Sequence, residues 1–200
     1  MKLKCSNCGK IVSKRKDVFN NNIRYLKMDP EDYKALYLCK DCRYKLYKSK
    51  YFEWYDLSKI NLPEWVIEKY KNRINWGTYL QHHKIEDLET FIEKFKNNVD
   101  WDIIIRTQKL SEPILRKYCS CFDRYEWLQV WIYTDVSESF IEEYARDDKD
   151  WYYISEYQNM SLDFIIKHID KIKANILYNT RVLPNIPDSV VLLLKQKSNS

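Results

Sequence analysis

Beyond residue 50, apolar and polar positions recur with a period of about 25 residues. The period is marked by a tryptophan, at Trp54, Trp76, Trp101, Trp127 and Trp151. A polar residue precedes each tryptophan, and an aliphatic residue follows three or four positions later. Next come another apolar residue, a Pro, Glu or Ser, and an apolar pair with an aromatic residue at helical spacing. This recurrence predicts a repeat architecture.

Each unit is predicted to form two short helices. The Asp or Asn before tryptophan is the expected N-cap of the first helix, and the Ser or Pro marks the start of the second. Helices this short are marginal alone and bury one face, so neighbouring units must stack. Residues 51–200 are therefore predicted to be an α-solenoid-like stack of five to six helix-turn-helix repeats, the last one degenerate. The tryptophans are expected to lie in the core or between repeats, with stacking platforms for bases or a ligand as the alternative.

Residues 1–50 follow a different pattern, which is set by four cysteines. Cys5 and Cys8 form one C-x-x-C pair, and Cys39 and Cys42 form a second pair after 30 intervening residues. Two such pairs supply the four-sulfur set that structural zinc prefers, with no open position for catalysis. The segment is thus predicted to be a small α+β, treble-clef-like finger with one structural zinc ion. Reduced cysteines without a metal are the alternative.

The chain between the two cysteine pairs is predicted to contain a β-hairpin. Its strands are expected along residues 11–19 and 23–26, with a turn at the three asparagines of residues 20–22. Residues 28–32 then break the pattern, and the second cysteine pair is expected to open a helix.

Charge is divided unevenly between the two regions. Residues 1–50 carry 14 Lys/Arg against 5 Asp/Glu, a net charge of +9, and the other 150 carry 20 against 24, a net charge of −4. Four thiolates around a divalent ion would lower the first value to +7. A basic finger of this kind can contact phosphates, and the alternative is a solvated or protein-docking face. The candidate nucleic-acid contacts are Lys14, Arg15, Lys16, Arg24, Arg43 and Lys45.

Motifs for catalysis are not found in the sequence. Its only glycines, Gly9 and Gly77, do not form a phosphate-binding loop, and no Ser-His-Asp or zinc-protease spacing occurs. His82 and His83 fall at the end of a first helix, and His168 takes the aromatic position of its repeat. Cys119 and Cys121 are interpreted as packing residues, with a second metal half-site as the alternative. No apolar run follows Met1 and none could span a bilayer, so we expect an intracellular, cytoplasmic protein without a membrane partner.

The repeat motif resembles that of a known group of proteins. Asp-Trp, two residues and Ile, then Ser, two residues and Phe-Ile, is similar to short helical repeats in uncharacterised proteins of bacteriophages and giant DNA viruses. It is carried here by Asp100-Trp101 with Ile104, by Asp150-Trp151 with Ile154, and by Ser161 with Phe164-Ile165. The resemblance covers residues 54–194 and implies a binding scaffold of viral or phage origin, acting in the host cell.

Together these patterns favour a non-catalytic zinc-containing adaptor that binds a macromolecule, above all a protein. The alternative is a nucleic-acid-binding or transcription-associated factor that uses the basic finger. No small-molecule substrate is evident.

Overall fold

The computed structural model describes residues 1–38, 40–42, 53–173, 175–176, 179 and 186–198, and these are mainly α-helical. The predicted mainly α class is therefore confirmed. The chain divides into two compact units, Met1–Val99 and Asp100–Ser200. A domain boundary at residue 50 stays a prediction. Within the described ranges, no helix combines the length and the apolar character needed to cross a membrane.

The first unit starts with a two-stranded antiparallel sheet, in which Leu3 of β1 pairs with Val12 of β2. The described helices of this unit follow the sheet along the chain. The elements are β1 Lys2–Lys4, β2 Ile11–Ser13, α1 Lys16–Leu26, α2 Pro30–Leu36, α3 Trp54–Leu57, α4 Glu64–Lys69, α5 Trp76–His82 and α6 Leu88–Phe95.

The predicted hairpin along residues 11–26 is wrong, because its second half forms helix α1. Phe19 and Leu26 are buried and lie two turns apart on that helix, so helical periodicity outweighs the turn preference of the three asparagines. The break expected at residues 28–32 is instead a helix start: Asp29 accepts a hydrogen bond from the Glu31 amide at 2.9 Å, and Pro30 takes the first helical position of α2.

The second unit continues the helix pairs. Its elements are α7 Trp101–Thr107, α8 Glu112–Tyr118, a 3₁₀ turn Cys119–Cys121, α9 Arg124–Tyr133, α10 Glu138–Tyr144, α11 Asp148–Tyr157, α12 Leu162–Lys167 and α13 Asp188–Ser198. Helix α9 packs against both α7 and α11, so the first helices of three successive repeats lie side by side.

The predicted caps of the first helices are correct in some repeats and wrong in others. Asn75 and Asp100 cap helices that begin at the following tryptophan. In the two later repeats the helix begins three residues earlier, and the caps are Asp123 and Asp147. Asp150, which precedes Trp151, therefore lies inside the first turn, as does the Glu before Trp127. An aspartate three positions upstream caps the first-turn amides of the longer helix, and the amides that follow the tryptophan then bond within the helix.

The predicted starts of the second helices are largely confirmed. Ser137 and Ser161 accept hydrogen bonds from the amides of Phe140 and Phe164 at 3.2 and 3.1 Å. Ser111 and Pro63 also take N-cap positions. In the second repeat, Asp87 is the cap rather than Glu86.

Each repeat tryptophan packs on the aromatic residue of its own second helix. The ring pairs are Trp54–Tyr70, Trp76–Phe95, Trp101–Tyr118, Trp127–Tyr144 and Trp151–His168, with centroids 5.1–5.3 Å apart. Trp76, Trp127 and Trp151 are buried, which confirms the core interpretation for these three. The other two are half-buried.

Three polar side chains bond to carbonyls at the C-terminal end of a first helix that lies 21 to 27 residues earlier in the sequence. Gln158 donates to the carbonyls of Trp131 and Thr134 at 2.6 and 2.9 Å. Asn179 does the same for Ser155 and Gln158 at 3.2 and 2.7 Å. In the first unit, the ring of His83 lies 3.2 Å from the Ser58 carbonyl. We call His83, Gln158 and Asn179 the carbonyl-capping ladder; it satisfies groups that a helix end leaves without partners.

The first repeat is also joined to the N-terminal segment. The Trp54 indole donates to the Leu26 carbonyl at 2.9 Å, and the Asp29 amide donates to the Tyr70 hydroxyl at 2.9 Å. That hydroxyl donates in turn to Asp32, which also pairs with Lys69. Burial alone would raise the pKa of Asp32, but the hydrogen bonds from Lys69 and Tyr70 outweigh it and lower that pKa.

Candidate metal centre

The first cysteine pair lies in the connection between β1 and β2. The Cys5 amide donates to the Lys10 carbonyl and the Gly9 amide donates to the Cys5 carbonyl, both at 2.9 Å. Gly9 has φ of 72°, a left-handed conformation that suits glycine. This tight turn carries Cys5 and Cys8 on one knuckle, as their spacing predicts.

The second pair approaches through contacts with that knuckle. Both the amide and the hydroxyl of Ser6 donate to the Tyr37 carbonyl, at 2.8 and 3.2 Å. Lys10 and Asp41 form an ion pair at 3.3 Å. Residues 40–42 are helical, in agreement with a second pair that opens a helix.

The sulfur atoms of Cys5, Cys8 and Cys42 all lie within 4.8 Å of one another. In a tetrahedral site with metal–sulfur bonds of about 2.3 Å, neighbouring sulfurs are about 3.8 Å apart, so the three side chains are placed to hold one metal ion. The Asn7 side-chain amide donates to the Cys42 sulfur at 3.4 Å, which favours the thiolate form that binds metals. The predicted fourth ligand, Cys39, lies outside the described residues.

The three sulfurs differ in their exposure to water. Cys5 and Cys42 are 1% and 6% exposed, whereas Cys8 lies at the surface. A metal here would therefore join two buried anchors to an exposed turn. Three thiolates from both ends of a 38-residue segment would close that segment covalently, which is the chemistry of a structural staple.

The predicted nucleic-acid contacts are only partly brought together. Lys14, Arg15 and Lys16 connect β2 to α1, and Arg24 lies near the end of α1. Arg15 forms an exposed pair with Asp17, and its hydrogen bonds lower the pKa of that carboxyl. Arg43 and Lys45 fall outside the described residues.

The remaining candidate ligands serve other purposes. His168 packs on Trp151 and Phe164, as its position in the repeat predicts, and lies 2.9 Å from Glu142. Burial lowers the pKa of His83, so its imidazole is neutral at pH 7 and caps a carbonyl. Cys119 is half-buried and Cys121 exposed. Among the residues that the structure describes, Cys5, Cys8 and Cys42 are the one cluster with the geometry of a metal site.

Sequence reasoning missed two groups of residues. Asn7 has no motif of its own, and only the fold brings it to Cys42. The ladder does leave a signal, because the seventh residue after each tryptophan is polar: Asn61, His83, Gln108, Thr134 and Gln158.

No protein-family model, curated protein or solved structure matches this chain. The resemblance to phage and giant-virus repeat proteins therefore stays a prediction.

Proposed function

We propose that this chain is a non-catalytic, zinc-containing adaptor that binds a protein partner through its helical repeats. The metal is a structural zinc ion held by Cys5, Cys8, Cys42 and the predicted ligand Cys39. Four thiolates complete the tetrahedral coordination of zinc and leave no position for a substrate or an activated water.

Zinc is the metal that this donor set favours. Soft thiolate ligands in two C-x-x-C pairs select zinc or an iron–sulfur centre. The sulfur atoms of Cys5, Cys8 and Cys42 lie within 4.8 Å of one another, which is close enough for all three to bind one ion, and this favours zinc.

The observation that carries the adaptor function is the recurrence of contacts between successive repeats. In the second unit, Arg116 pairs with Glu143, and Glu142 pairs with Lys167 at 2.6 Å. The Ser161 amide donates to Glu138 at 2.6 Å. Each of these joins residues about 25 positions apart, as expected of an α-solenoid-like stack, and stacks of this kind present continuous surfaces to other macromolecules.

A specific observation also favours the alternative, a nucleic-acid-binding factor. Within the described part of the chain, no ion pair is found for Lys14, Lys16 or Arg24. Because no carboxylate of the described residues neutralises them, these three cations can contact phosphates. The neighbouring ion pairs of Lys10, Arg15 and Lys34 reduce the local charge, and on this balance we prefer the protein partner.

The test uses the full chain as bait in an extract of the organism that encodes it, with and without nuclease. The adaptor function predicts that one protein is retained at similar yield in both samples. Two exposed faces of the repeats are then altered in separate variants, and the variant that changes the binding face should no longer retain this protein. A variant with Lys14, Arg15 and Lys16 all changed to Ala should still retain it.

A mobility-shift assay with labelled DNA and RNA at low salt decides the alternative. A shift that weakens steeply with salt and disappears in the Lys14/Arg15/Lys16 variant would favour nucleic-acid binding. A reproducible hydrolytic or transfer activity that one substitution abolishes would contradict the non-catalytic assignment.

A further inference from the structure

The second unit exposes a group of tyrosines at the ends of two adjacent helices. Tyr133 on α9 and Tyr152 and Tyr157 on α11 are 53%, 47% and 36% exposed. Tyr153 lies between the last two, with ring centroids 5.4 Å from Tyr152 and 6.4 Å from Tyr157. We call these four residues the tyrosine face.

The two helices pack side by side, and their last tyrosines take equivalent positions. Tyr133 and Tyr157 each lie six positions after a repeat tryptophan. The residues that follow them, Thr134 and Gln158, are joined by a hydrogen bond of 2.9 Å. Equivalent positions on side-by-side helices thus place the two phenols at the same edge of the unit.

A cleft of about 610 Å³ opens beyond the C-terminal ends of the two helices, and none of the four tyrosines lines it. Asp135 and Asn159, each two residues beyond a tyrosine of the face, line it together with Glu112 and Glu138. Three of its lining residues are acidic, and no lysine or arginine in the described ranges is among its lining residues. The C-terminal ends of α9 and α11 add partial negative charge, and the N-terminus of α10 at Ser137 and Glu138 offsets part of it.

The charge of the region points the same way. Residues 100–200 carry 16 Asp/Glu against 13 Lys/Arg, a net charge of −3. The position of Asp135 is taken by Lys109 one repeat earlier and by Asn159 one repeat later, so an acid stands at this position only in the middle one of these three repeats. Exposed aromatic rings beside carboxylates attract lysine and arginine through both ring faces and charge, whereas they repel phosphates.

We propose that the tyrosine face and its acidic cleft bind a lysine- or arginine-bearing segment of a protein partner. The inference rests on the proposed adaptor function and specifies its docking site. Apolar stems of the cationic side chains would pack on the tyrosine rings, and their charged ends would reach Asp135 and Glu138. Tyrosine is among the residues that contribute most at protein interfaces.

A phage-displayed library of random twelve-residue peptides, selected on the immobilised full chain, tests this inference. We expect enriched peptides to carry lysine or arginine beside apolar residues. Their affinity should fall at least about tenfold in the variant Tyr133→Ser/Tyr157→Ser, and should fall with salt and in Asp135→Asn/Glu138→Gln. The matched control is Tyr25→Ser/Tyr55→Ser, which removes two exposed tyrosines from the first unit and should leave affinity unchanged.

A second measurement avoids substitution altogether. In the unaltered chain with ¹³C-labelled tyrosine rings, an enriched basic peptide should shift the signals of the tyrosine face and leave those of Tyr25 and Tyr55 in place. Enrichment of acidic or uncharged peptides, no enrichment, or binding that spares the tyrosine face would overturn the inference. Concentration-dependent self-association that the Tyr133/Tyr157 variant abolishes would assign the face to a second copy instead. Binding of a protein partner at another surface would contradict the inference but would agree with the adaptor function.

Discussion

At the scale of single residues, water reaches the three described cysteines of the metal centre to different extents. Cys5 and Cys42 are enclosed by the sheet and the following helices, and Cys8 is held at the surface by a turn that needs Gly9. A metal ion bound here would join Cys5 and Cys8 to Cys42, so we expect it to contribute to the folding free energy of this segment.

Replacing Cys8 by Ser is expected to abolish stoichiometric zinc binding. The substitution leaves too few thiolates for a stable site, while the small change at an exposed position introduces little strain. Zinc content per chain, measured by atomic emission after dialysis, should fall from about one to well below one. Cys121→Ser, a change of the same kind at another exposed cysteine, should keep the full zinc content. Equal zinc in both variants would count against the site.

Asp150 shows how one buried carboxylate can join two repeats. It is 1% exposed and accepts hydrogen bonds from the Arg124 guanidinium at 2.5 Å, the Trp131 indole at 2.9 Å and the Arg146 amide at 2.9 Å. All its partners come from other elements, and together they compensate the cost of burying a charge.

Asp150→Ala should lower the free energy of unfolding by about 2–4 kcal/mol, because the Trp131 indole and the Arg146 amide lose their acceptor, while Arg124 keeps its pair with Asp147. Asp148→Ala is the matched control on the same helix: that carboxylate is 91% exposed and pairs with Lys173, so its loss should cost at most about 1 kcal/mol. Urea titrations followed by tryptophan fluorescence compare the two, and a difference below about 1 kcal/mol would contradict the role of Asp150.

At the scale of helices, the carbonyl-capping ladder satisfies the last carbonyls of a helix with a side chain from the next repeat. Helix ends are more often capped by residues that flank the same helix. The Gln158 amide serves two carbonyls of α9 and accepts a hydrogen bond from the Val136 amide at 3.1 Å. It is 1% exposed, so water cannot take its place.

Gln158→Ala is expected to destabilise the second unit by about 2–4 kcal/mol, since three buried backbone groups lose their partner. Asn159→Ala removes a similar amide at the adjacent exposed position and should change stability by no more than about 0.5 kcal/mol. Chemical denaturation measures both. Similar midpoints for the two variants would show that the backbone groups find other partners.

Ion pairs between second helices predict how stability depends on pH. Hydrogen bonds from Lys167 and His168 lower the pKa of Glu142, and Arg116 lowers that of Glu143. A carboxyl whose pKa is lower in the folded state stabilises the fold above its unfolded value, here 4.5, and loses that contribution as pH falls through the folded pKa.

Stability of the unaltered chain should therefore decrease below about pH 4.5. Glu142→Gln should be less stable than the unaltered chain near pH 7, and the gap should close as the pH is lowered toward 2. Thermal melts across this range provide the measurement. Asp170→Asn, which changes an exposed carboxyl after α12, should run parallel to the unaltered chain; a constant gap for Glu142→Gln would mean that its ion pairs are not the cause.

The sequence predicts the helices within each repeat better than the contacts between repeats. Apolar periodicity identifies the helix pairs and the tryptophan packing, since both depend on residues within one repeat. The roles of Asp150 and Gln158 depend on a neighbouring repeat some 20 to 27 residues away, and local patterns do not carry that information. The hairpin fails for a related reason: Phe19 and Leu26 satisfy a helical period as well as short strands, and burial against α2 decides between them. The ring centroids of Phe19 and of Tyr33 on that helix are 5.3 Å apart.

At the scale of the whole molecule, the segment that carries the three cysteines and the first repeat are joined by hydrogen bonds. Trp54 and Tyr70 hold the ends of α1 and α2 through the hydrogen bonds to Leu26 and Asp29. Local unfolding of the segment should therefore spread to α3 and α4.

Chelation of the metal is expected to raise hydrogen exchange first in residues 1–42 and then in α3 and α4, while α9 and α11 keep their protection. Exchange measured by mass spectrometry, with and without a chelator, tests this order. The double variant Cys5→Ser/Cys8→Ser should give the same pattern without chelator. A uniform loss of protection along the chain would disprove the coupling.

The carbonyl-capping ladder also gives the array a direction. Side chains later in the sequence complete the ends of earlier helices, as Gln158 does for α9 and Asn179 for α11. During translation, α9 and α11 leave the ribosome with these carbonyls open until Gln158 and Asn179 have been synthesised. Folding of the nascent chain should consequently lag synthesis by about one repeat, some 25 residues, and a ribosome that stalls between repeats would expose an unfinished helix end.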